Sequence, residues 1–322
     1  MKLPQPFIRL PLRFDAARLQ REMEALPAGA WMPHPSGQPG NAAVALISRN
    51  GGDNDDFLAP MRTTPHLARC PYHRQVMATF GEVLSRSRLM KLDAGCQVGL
   101  HVDFNYHWHD RVRVHVPVIT NRDVRFHCGD QHVHMGAGEC WLFDNWRRHD
   151  VRNDGDRDRV HLVIDLAGSS RFWRLVRGAV ARGHAGQDRD VPYDPLAEPH
   201  LETEQFNSAP VMAPGEMDAL VRELIADFSR HPDNDPQLVR RYAALLDDLT
   251  RDWRELWHRY GPTMDGLPSY RQLLERTAAA LHPERRALVT ASNGVGVNPV
   301  IMQRILRAAL APELIQPPAQ VS

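Results

Sequence analysis

The residues of the segment 85–166 alternate in polarity with a period of two, and this alternation constrains the fold more than any other feature. It is clearest in Val112 to Ile119, where every second residue is a valine and the residues between include Arg113 and His115. Successive side chains of a strand point to opposite faces, so this period predicts a strand with one apolar face. Further short strands are predicted at 88–92, 124–128, 131–135, 139–143 and 160–166.

The intervals between these strands decide the fold class. They leave no room for the crossover helices that a parallel sheet requires. Many short strands separated by turns are typical of a β-sandwich or jelly roll. A strand at 43–47 and helices at 14–26, with Asp15 as N-cap, and 72–84 are predicted upstream. We therefore predict a mainly β core with some α structure.

After Ser170 the polarity pattern no longer has a period of two residues. The stretch 183–199 is polar and contains prolines, which predicts a linker or surface loop. Two regions follow from this: 1–182, a β domain with N-terminal helices, and 183–322, a mostly helical C-terminal region, whose helices are also a candidate dimer face. In that region helices are predicted at 216–229, 237–260, 270–281 and 299–311, with a strand at 287–291.

Charge and composition exclude several function classes. Lys plus Arg and Asp plus Glu both number 39, so nothing favours a nucleic-acid or anionic-membrane partner. No apolar run has the length of a membrane span, and the N-terminus lacks the order of a secretory signal. The four cysteines are scattered, which predicts reduced thiols. A cytoplasmic protein is therefore expected.

Histidine is concentrated in one part of the chain: nine of the 17 histidines lie between residues 101 and 161. His101 and Asp103 are two residues apart, so an extended backbone places both on one face. His149 lies near the start of the last predicted strand of the β region. Two histidines and one carboxylate leave coordination positions open, as non-haem iron(II) oxygenases require. We predict a metal site of His101, Asp103 and His149.

Arg159 begins the last strand of this region, ten residues after His149. An arginine fork binds a carboxylate through two hydrogen bonds, which is what a dicarboxylate co-substrate needs at its distal end. The simpler alternative is a surface cation on an edge strand.

The stretch from Arg88 to Leu166 resembles the aspartyl/asparaginyl β-hydroxylase family, which is similar in turn to the bacterial free-proline hydroxylases. Three motifs carry the resemblance, followed by His149, Asn153 and Arg159. They are H-x-D (His101, Asp103), R-x-H-x-P (Arg113, His115, Pro117) and G-E-x-W-x-F-D (Gly138, Glu139, Trp141, Phe143, Asp144).

The resemblance implies a double-stranded β-helix, of the jelly-roll or cupin-like type, with iron(II) on the three predicted ligands. It also implies that 2-oxoglutarate and O2 are co-substrates, that Arg159 binds the distal carboxylate, and that Arg113 and His115 line the same pocket. Its implied reaction is hydroxylation of an amino acid, free or within a peptide. Asp103 is present here although animal members that modify protein domains lack it. Where those members have a serine for the co-substrate, this chain has Met90.

Two residues are candidates for substrate binding. Arg88 points into the predicted barrel, where it would hold a substrate carboxylate, and Trp146 lies on the loop before His149. Trp141, inside an apolar strand, is expected in the core. Asp144 is expected to brace the His149 loop rather than to act as a base.

Two other function classes fit the same residues. A zinc-dependent hydrolase also uses two histidines and a carboxylate, but it needs no 2-oxoglutarate and leaves Arg159 without a role. A catalytically silent jelly-roll binding module would keep its function when His149 is replaced by alanine.

Overall fold

A computed structural model describes residues 2–58, 60–183 and 187–314 and divides the chain into two compact units. Unit 1 comprises residues 1–103 and 110–207, and unit 2 comprises residues 104–109 and 208–322. The predicted division at residue 182 differs from this grouping in two places: it put residues 104–109 in the first region, and it put the segment 183–207 in the second. That segment groups with unit 1 because the short strand Arg189–Val191 pairs with Phe7–Phe14, and Thr203 forms a bridge with Leu84.

The described part of unit 1 is built on two β-sheets, so the mainly β prediction is confirmed. The larger sheet has nine strands in the order β13-β1-β10-β7-β12-β5-β3-β2, with β4 paired to β3, and the smaller has the order β6-β11-β8-β9. Every pair in them is antiparallel except β1 with β13. The strands are β1 (Phe7–Phe14), β2 (Met32–Pro33), β3 (Asn41–Arg49), β4 (Met61–Thr63), β5 (Leu84–Leu92), β6 (Gln97–His101), β7 (Val112–Ile119), β8 (Val124–Cys128), β9 (Gln131–Val133), β10 (Glu139–Phe143), β11 (His149–Asn153), β12 (Arg159–Leu166) and β13 (Arg189–Val191).

The central strand β12 separates two different interiors. It pairs with β5 on one side and β7 on the other, and all eight of its residues are buried. Val160, Leu162 and Ile164 belong to the main hydrophobic core. Arg159 and His161 lie on the opposite face. A second apolar cluster contains Phe7, Leu92, Val124, Phe126, Cys128, Met135, Trp141, Phe143 and Val151, so Trp141 is in a core as predicted.

The helices of unit 1 are α1 (Ala16–Glu24), α2 (Pro65–Ala68), α3 (Pro71–Ala78) and α5 (Ser170–Arg182). Asp15 caps α1 as predicted, because its carboxylate accepts a hydrogen bond from Arg18 N at 3.0 Å. The predicted helix 72–84 was too long at its C-terminal end. Gly81 has a φ of 56°, a left-handed conformation that favours glycine, and the chain has entered β5 by Leu84.

Unit 2 is helical, as predicted for the C-terminal region. Its helices are α6 (Pro214–Phe228), α7 (Pro236–Tyr260), α8 (Leu267–Ala279), α9 (Val297–Val300) and a π-helical turn (Ile301–Leu306). The short helix α4 (His107–Asp110) has its first three residues in unit 2 and its last residue, Asp110, in unit 1. The predicted strand at 287–291 is reduced to a single bridge between Val289 and Gly296. The predicted helix 299–311 ends as a π turn at Leu306.

Two sequence expectations about the whole chain can be compared with this structure. No helix among the described residues is both long enough and apolar enough to cross a membrane. All four cysteines are free thiols, and burial raises the pKa of Cys70 and of Cys128 to about 12.

Candidate metal centre

His101 and His149 lie directly opposite each other on the neighbouring strands β6 and β11, with their ring centroids 4.2 Å apart. Asp103 follows β6 by two residues. Its carboxylate oxygens lie 3.8 Å from His101 Nε2 and 3.9 Å from His149 Nε2. The three ligand atoms lie within 4.8 Å of one another, close enough for one ion to bind all three. The structure therefore brings together the three residues that the sequence pattern selected.

Hydrogen bonds orient both imidazole rings for metal binding. His101 Nδ1 lies 2.8 Å from Gly99 O, and His149 Nδ1 lies 2.9 Å from Arg147 O. A carbonyl only accepts, so each Nδ1 carries the proton and each Nε2 keeps a lone pair on the side of Asp103. Burial, opposed by Asp103 and reinforced by His101, lowers the pKa of His149 to about 4. His149 is therefore neutral at pH 7, as a ligand must be.

The local backbone explains how the sequence builds this site, and it differs from the prediction in two details. The strand β6 ends at His101, and Asp103 is held beyond it by a backbone hydrogen bond to Asn145 O at 3.0 Å. His149 does not merely precede the last strand of the region. It opens a strand of its own, β11, which pairs with both β6 and β8.

Arg159 is buried at the start of β12, with 5% of its surface exposed. Its Nε has no hydrogen-bond partner, and among the residues that the structure describes no carboxylate pairs with it. Its guanidinium lies 4.9 Å from the centre of the Phe126 ring. Burial, together with Arg113, lowers the pKa of Arg159 to about 9, so it is still charged at pH 7. A buried cation without a counterion is costly, which indicates a place for an anion.

Two histidines accompany Arg159. His115 and His161 are both buried, and their Nδ1 atoms are 3.4 Å apart. Neither Nε2 has a hydrogen-bond partner among the described residues. Burial and the nearby arginines hold both pKa values well below the usual range, so both rings are neutral. The resemblance pointed to His115, but it gave no role to His161. Its position two residues after Arg159, on the same face of β12, was the signal available.

Ring contacts connect these residues to the metal ligands. Phe143 lies 4.9 Å from the ring of His149 and 5.1 Å from that of His115. His161 stacks on Phe126 at 5.2 Å. The candidate metal ligands and the buried Arg159 therefore belong to one continuous aromatic interior.

A cluster of charged residues lies on one face of the larger sheet, on the strands β5, β7 and β12. Arg113 binds Asp165 through two hydrogen bonds of 2.7 and 2.9 Å. Arg88 pairs with Asp55, and Arg86 pairs with the same carboxylate at 2.8 Å. Among the residues that the structure describes, Arg86 and Arg88 therefore share the carboxylate of Asp55, and Arg113 binds that of Asp165.

Arg88 and Arg86 are almost completely buried, with 2% and 3% of their surfaces exposed. Burial, with its guanidinium neighbours, holds the pKa of Arg88 well below its usual value, and Arg88 Nε has no hydrogen-bond partner. Sequence reasoning selected Arg88 but missed Arg86 and Asp55. Asp55 lies between β3 and β4, and no sequence pattern identified it as a partner of Arg88.

Trp146 is not part of this charged cluster. It is buried, its backbone N–H donates to Asp144 Oδ1 at 3.1 Å, and Lys2 Nζ lies 4.9 Å from its ring centre. Asp144 also accepts a hydrogen bond from Arg147 Nε at 3.1 Å, so it holds the turn that precedes His149.

A second group of metal-ligand residue types, Glu22, Cys70 and His73, is explained by helix capping. The Glu22 carboxylate accepts hydrogen bonds from the backbone N–H groups of Tyr72 and His73 and from His73 Nδ1, at 2.9–3.1 Å. These are the free donors at the start of α3. The Cys70 thiol, with a pKa of about 12, is not a thiolate ligand at neutral pH.

Comparison with known proteins shows three kinds of similarity. Residues 42–168 match the family model described as Aspartyl/Asparaginyl beta-hydroxylase. The L-proline cis-4-hydroxylase of Rhizobium meliloti (strain 1021) is 24% identical over 169 residues, which are 49% of this chain and 60% of that protein. The chain thus spans less than two thirds of this curated relative.

Among solved structures, a 2OG-Fe(II) oxygenase family protein from Burkholderia pseudomallei aligns with a TM-score of 0.34 and 17% identity, over 47% of this chain and 78% of that one. A prolyl hydroxylase from Trichoplax adhaerens aligns with a TM-score of 0.37 and 10% identity, over 53% and 87%. The matched segment 42–168 contains all three candidate metal ligands and Arg159. Over this segment the chain is confirmed to resemble the aspartyl/asparaginyl β-hydroxylase family.

Proposed function

We propose that this chain is a non-haem iron(II) oxygenase that uses 2-oxoglutarate and O2 to hydroxylate an amino acid, free or within a peptide. One observation carries the proposal. Two histidines and a carboxylate converge on one point, and a buried arginine that pairs with no carboxylate among the described residues lies in the same aromatic interior. The first set suits iron(II) with open coordination positions, and the second suits a dianionic co-substrate.

The residues fit the metal by their chemistry. His101 and His149 each have Nε2 available because Nδ1 donates to a backbone carbonyl, and Asp103 supplies the anionic ligand. Bound iron(II), together with 2-oxoglutarate and O2, supplies the oxidising power for C–H hydroxylation. The protein's part is to hold three ligands in place and to keep water from the aromatic interior beside them.

Three residues are proposed to hold the co-substrate. Arg159 binds the distal carboxylate of 2-oxoglutarate, which supplies the counterion that no described residue provides for the buried guanidinium. His115, with its unpartnered Nε2, provides a further polar contact. Arg113 is already bonded to both oxygens of Asp165, so its contribution is a fixed positive charge near the ligands.

The charged cluster on β5 is the proposed substrate site. Among the described residues Arg88 Nε has no hydrogen-bond partner, and Arg88 shares the carboxylate of Asp55 with Arg86, which favours a substrate carboxylate. An amino acid or the end of a peptide carries such a group. Trp146 was a second candidate from the sequence. It is buried against Asp144 and Lys2, so in this proposal it packs in the turn before His149 and does not contact the substrate.

The proposal includes a finer description of the β core. The two sheets, which are antiparallel apart from the pairing of β1 with β13, enclose the aromatic interior. The strand order β6-β11-β8-β9 opposite β10-β7-β12-β5 is that expected for a double-stranded β-helix, or jelly roll.

Succinate release from 2-oxoglutarate tests the proposal. Anaerobically purified protein would be given iron(II), ascorbate and air, with pools of free amino acids and of short peptides added separately. We expect turnover that needs iron and rises with one pool. His149→Ala is expected to abolish it, and Arg159→Met to raise the KM for 2-oxoglutarate at least tenfold, the loss expected when one charge-assisted carboxylate contact is removed.

Exposed Arg125, on the neighbouring strand β8, provides a matched control. Arg125→Met should behave as the wild type. Zinc-supported activity without 2-oxoglutarate would contradict the proposal and favour a hydrolase. Unchanged function in His149→Ala would favour a binding module.

A further inference from the structure

His115 and His161 face each other within unit 1, on the paired strands β7 and β12. Val163 lies opposite His115 in the register of these strands, so His161 is the diagonal neighbour of His115 on the same face. Phe126 contacts both rings: it stacks on His161 at 5.2 Å and lies 5.9 Å from His115 at a steep angle. Packing therefore fixes how the two imidazoles face each other.

The contact between the two rings joins Nδ1 to Nδ1, at 3.4 Å. Burial and the nearby arginines hold the pKa of both rings well below 6.5, so both are neutral at pH 7. A neutral imidazole has one nitrogen with a hydrogen and one with a lone pair. The two Nδ1 atoms therefore form a hydrogen bond only when one of them carries its hydrogen and the other does not. The tautomers of the two rings are coupled.

The coupling decides what the rings offer to a ligand. When one Nδ1 carries a hydrogen and the other does not, one Nε2 is a donor and the other is an acceptor. Both Nε2 atoms are buried, and in the described part of the chain neither has a hydrogen-bond partner. Unpaired buried polar atoms are costly, and two apolar rings would avoid that cost. The pair is therefore arranged for binding rather than for stability.

The charge of the ligand determines which ring is the donor. In the proposed function His115 contacts the carboxylate of the co-substrate, and a carboxylate only accepts hydrogen bonds. His115 must then carry its hydrogen on Nε2 and a lone pair on Nδ1. The hydrogen between the rings consequently belongs to His161 Nδ1, and His161 Nε2 has the lone pair.

We propose that His161 sets the tautomer of His115: its Nδ1–H donates to His115 Nδ1 and so keeps the hydrogen of His115 on Nε2, where it binds the carboxylate of 2-oxoglutarate. His161 is a positioning residue, because it acts through His115 and donates nothing to the carboxylate itself. The inference rests on the proposed function for the identity of the anion. The arrangement of the two hydrogens is a property of the ligand-free protein and is tested there.

The first test reads the tautomers directly. Metal-free protein would be isotope-labelled at its histidine nitrogens and studied by nitrogen NMR, in which a nitrogen with a hydrogen and one with a lone pair give separate signals. His115→Phe and His161→Phe assign the signals to the two rings. We expect the hydrogen on Nε2 of His115 and on Nδ1 of His161. The opposite arrangement would overturn the inference.

The second test separates the hydrogen bond from the packing of the ring. Binding of 2-oxoglutarate to Mn(II)-loaded protein would be measured by calorimetry. His161→Phe keeps a ring against Phe126 but removes the donor, and we expect it to raise the Kd about tenfold. His161→Asn loses the ring but places an amide N–H near the position of Nδ1. It should bind more tightly than His161→Phe, whereas a purely packing role predicts the reverse order.

His132→Phe is the matched control, because His132 is an exposed histidine on β9. It should bind 2-oxoglutarate as the wild type does. Wild-type affinity in His161→Phe, or weaker binding by His161→Asn than by His161→Phe, would overturn the inference. The proposed function fails separately: if wild-type protein with Mn(II) binds no 2-oxoglutarate, the co-substrate assignment is wrong, and the NMR signals still decide which ring carries which hydrogen.

Discussion

Arg159 allows a prediction in which stability and ligand binding change in opposite directions. Its guanidinium is buried, it is charged at neutral pH, and no carboxylate among the described residues pairs with it. Methionine fills similar apolar space without a charge. We expect Arg159→Met to make the ligand-free protein more stable than the wild type and to remove the stabilisation that 2-oxoglutarate provides.

The magnitude follows from the pKa of Arg159, which burial lowers from 12.5 to about 9. At about 1.4 kcal/mol per pH unit, this difference disfavours the charged side chain by at most about 5 kcal/mol. The group takes up a proton less readily in the folded state, so this penalty is fully present below pH 9 and diminishes as the pH rises from there towards 12.5. Lost packing of the side-chain stem offsets part of the gain, which leaves an expected stabilisation of about 1–3 kcal/mol.

Thermal unfolding of metal-loaded protein measures both effects. Without 2-oxoglutarate, the variant should melt roughly 3–10 °C above the wild type. A ligand at a hundred times its Kd stabilises the state that binds it by about 2.7 kcal/mol. Adding 2-oxoglutarate with Mn(II) should therefore raise the wild-type melting temperature and leave that of Arg159→Met unchanged. Arg125→Met, on an exposed surface, should respond as the wild type in both conditions.

Two results would refute the reasoning. A less stable ligand-free variant would mean that Arg159 has a counterion in the folded protein. The inference that its charge is buried without a partner would then be wrong. An equal response of both proteins to 2-oxoglutarate would mean that the co-substrate does not bind at Arg159.

Three further predictions concern residues outside the metal ligands. Burial keeps His161 neutral with its pKa well below 6.5, so below that pH the unfolded chain takes up a proton that the folded chain does not, and the free energy of unfolding falls by at most about 1.4 kcal/mol per pH unit for this group. His161→Phe should therefore flatten the dependence of the free energy of unfolding, measured in urea, on pH between 6.5 and 5. An unchanged slope would argue against a neutral buried ring. Glu22→Gln should cost about 1–3 kcal/mol in the same assay because the start of α3 loses its carboxylate cap, whereas Glu24→Gln, exposed on the same helix α1, should cost little. Gly138→Ala should lower the melting temperature by several degrees, since its φ is 76° and the new Cβ would meet Phe14 O at 2.2 Å, while Gly215→Ala, with open space around it, should not.

The predictable part of the fold is the part with a clear polarity period. The strands Val112–Ile119, Val124–Cys128 and Glu139–Phe143 have the bounds that alternation gave them. Strand β1 (Phe7–Phe14) was not predicted, because Pro11 interrupts the sequence pattern. Its residues nevertheless pair with β10 on one side, and with the short β13 on the other from Leu12 onwards, so tertiary pairing overrides the local signal.

The grouping of His101, Asp103 and His149 could be predicted because its signal is local and chemical. H-x-D fixes two residues on one short segment, and a third histidine ahead of the arginine-bearing strand completes a recognisable order. Asp55 could not be found in this way. It lies 33 residues from Arg88 in a loop, and only the folded chain shows that its carboxylate is shared by Arg86 and Arg88. Two residues that form an ion pair across a long stretch of chain have no fixed spacing, so the sequence alone does not reveal the pair.

The arrangement of charge explains why these buried arginines are compatible with a stable fold. Arg113 and Arg86 have carboxylate partners within the protein, so the cost of burying them is largely offset without any ligand. Arg159 has no such partner in the described ranges 2–58, 60–183 and 187–314, and Arg88 shares its partner with Arg86. If the cluster served stability alone, an apolar side chain at position 159 would serve better. A buried cation that pairs with no carboxylate in the described part of the chain, near three candidate metal ligands, therefore favours an anion that arrives from outside. This incomplete pairing, more than the presence of arginine, distinguishes a candidate binding site from a structural ion pair.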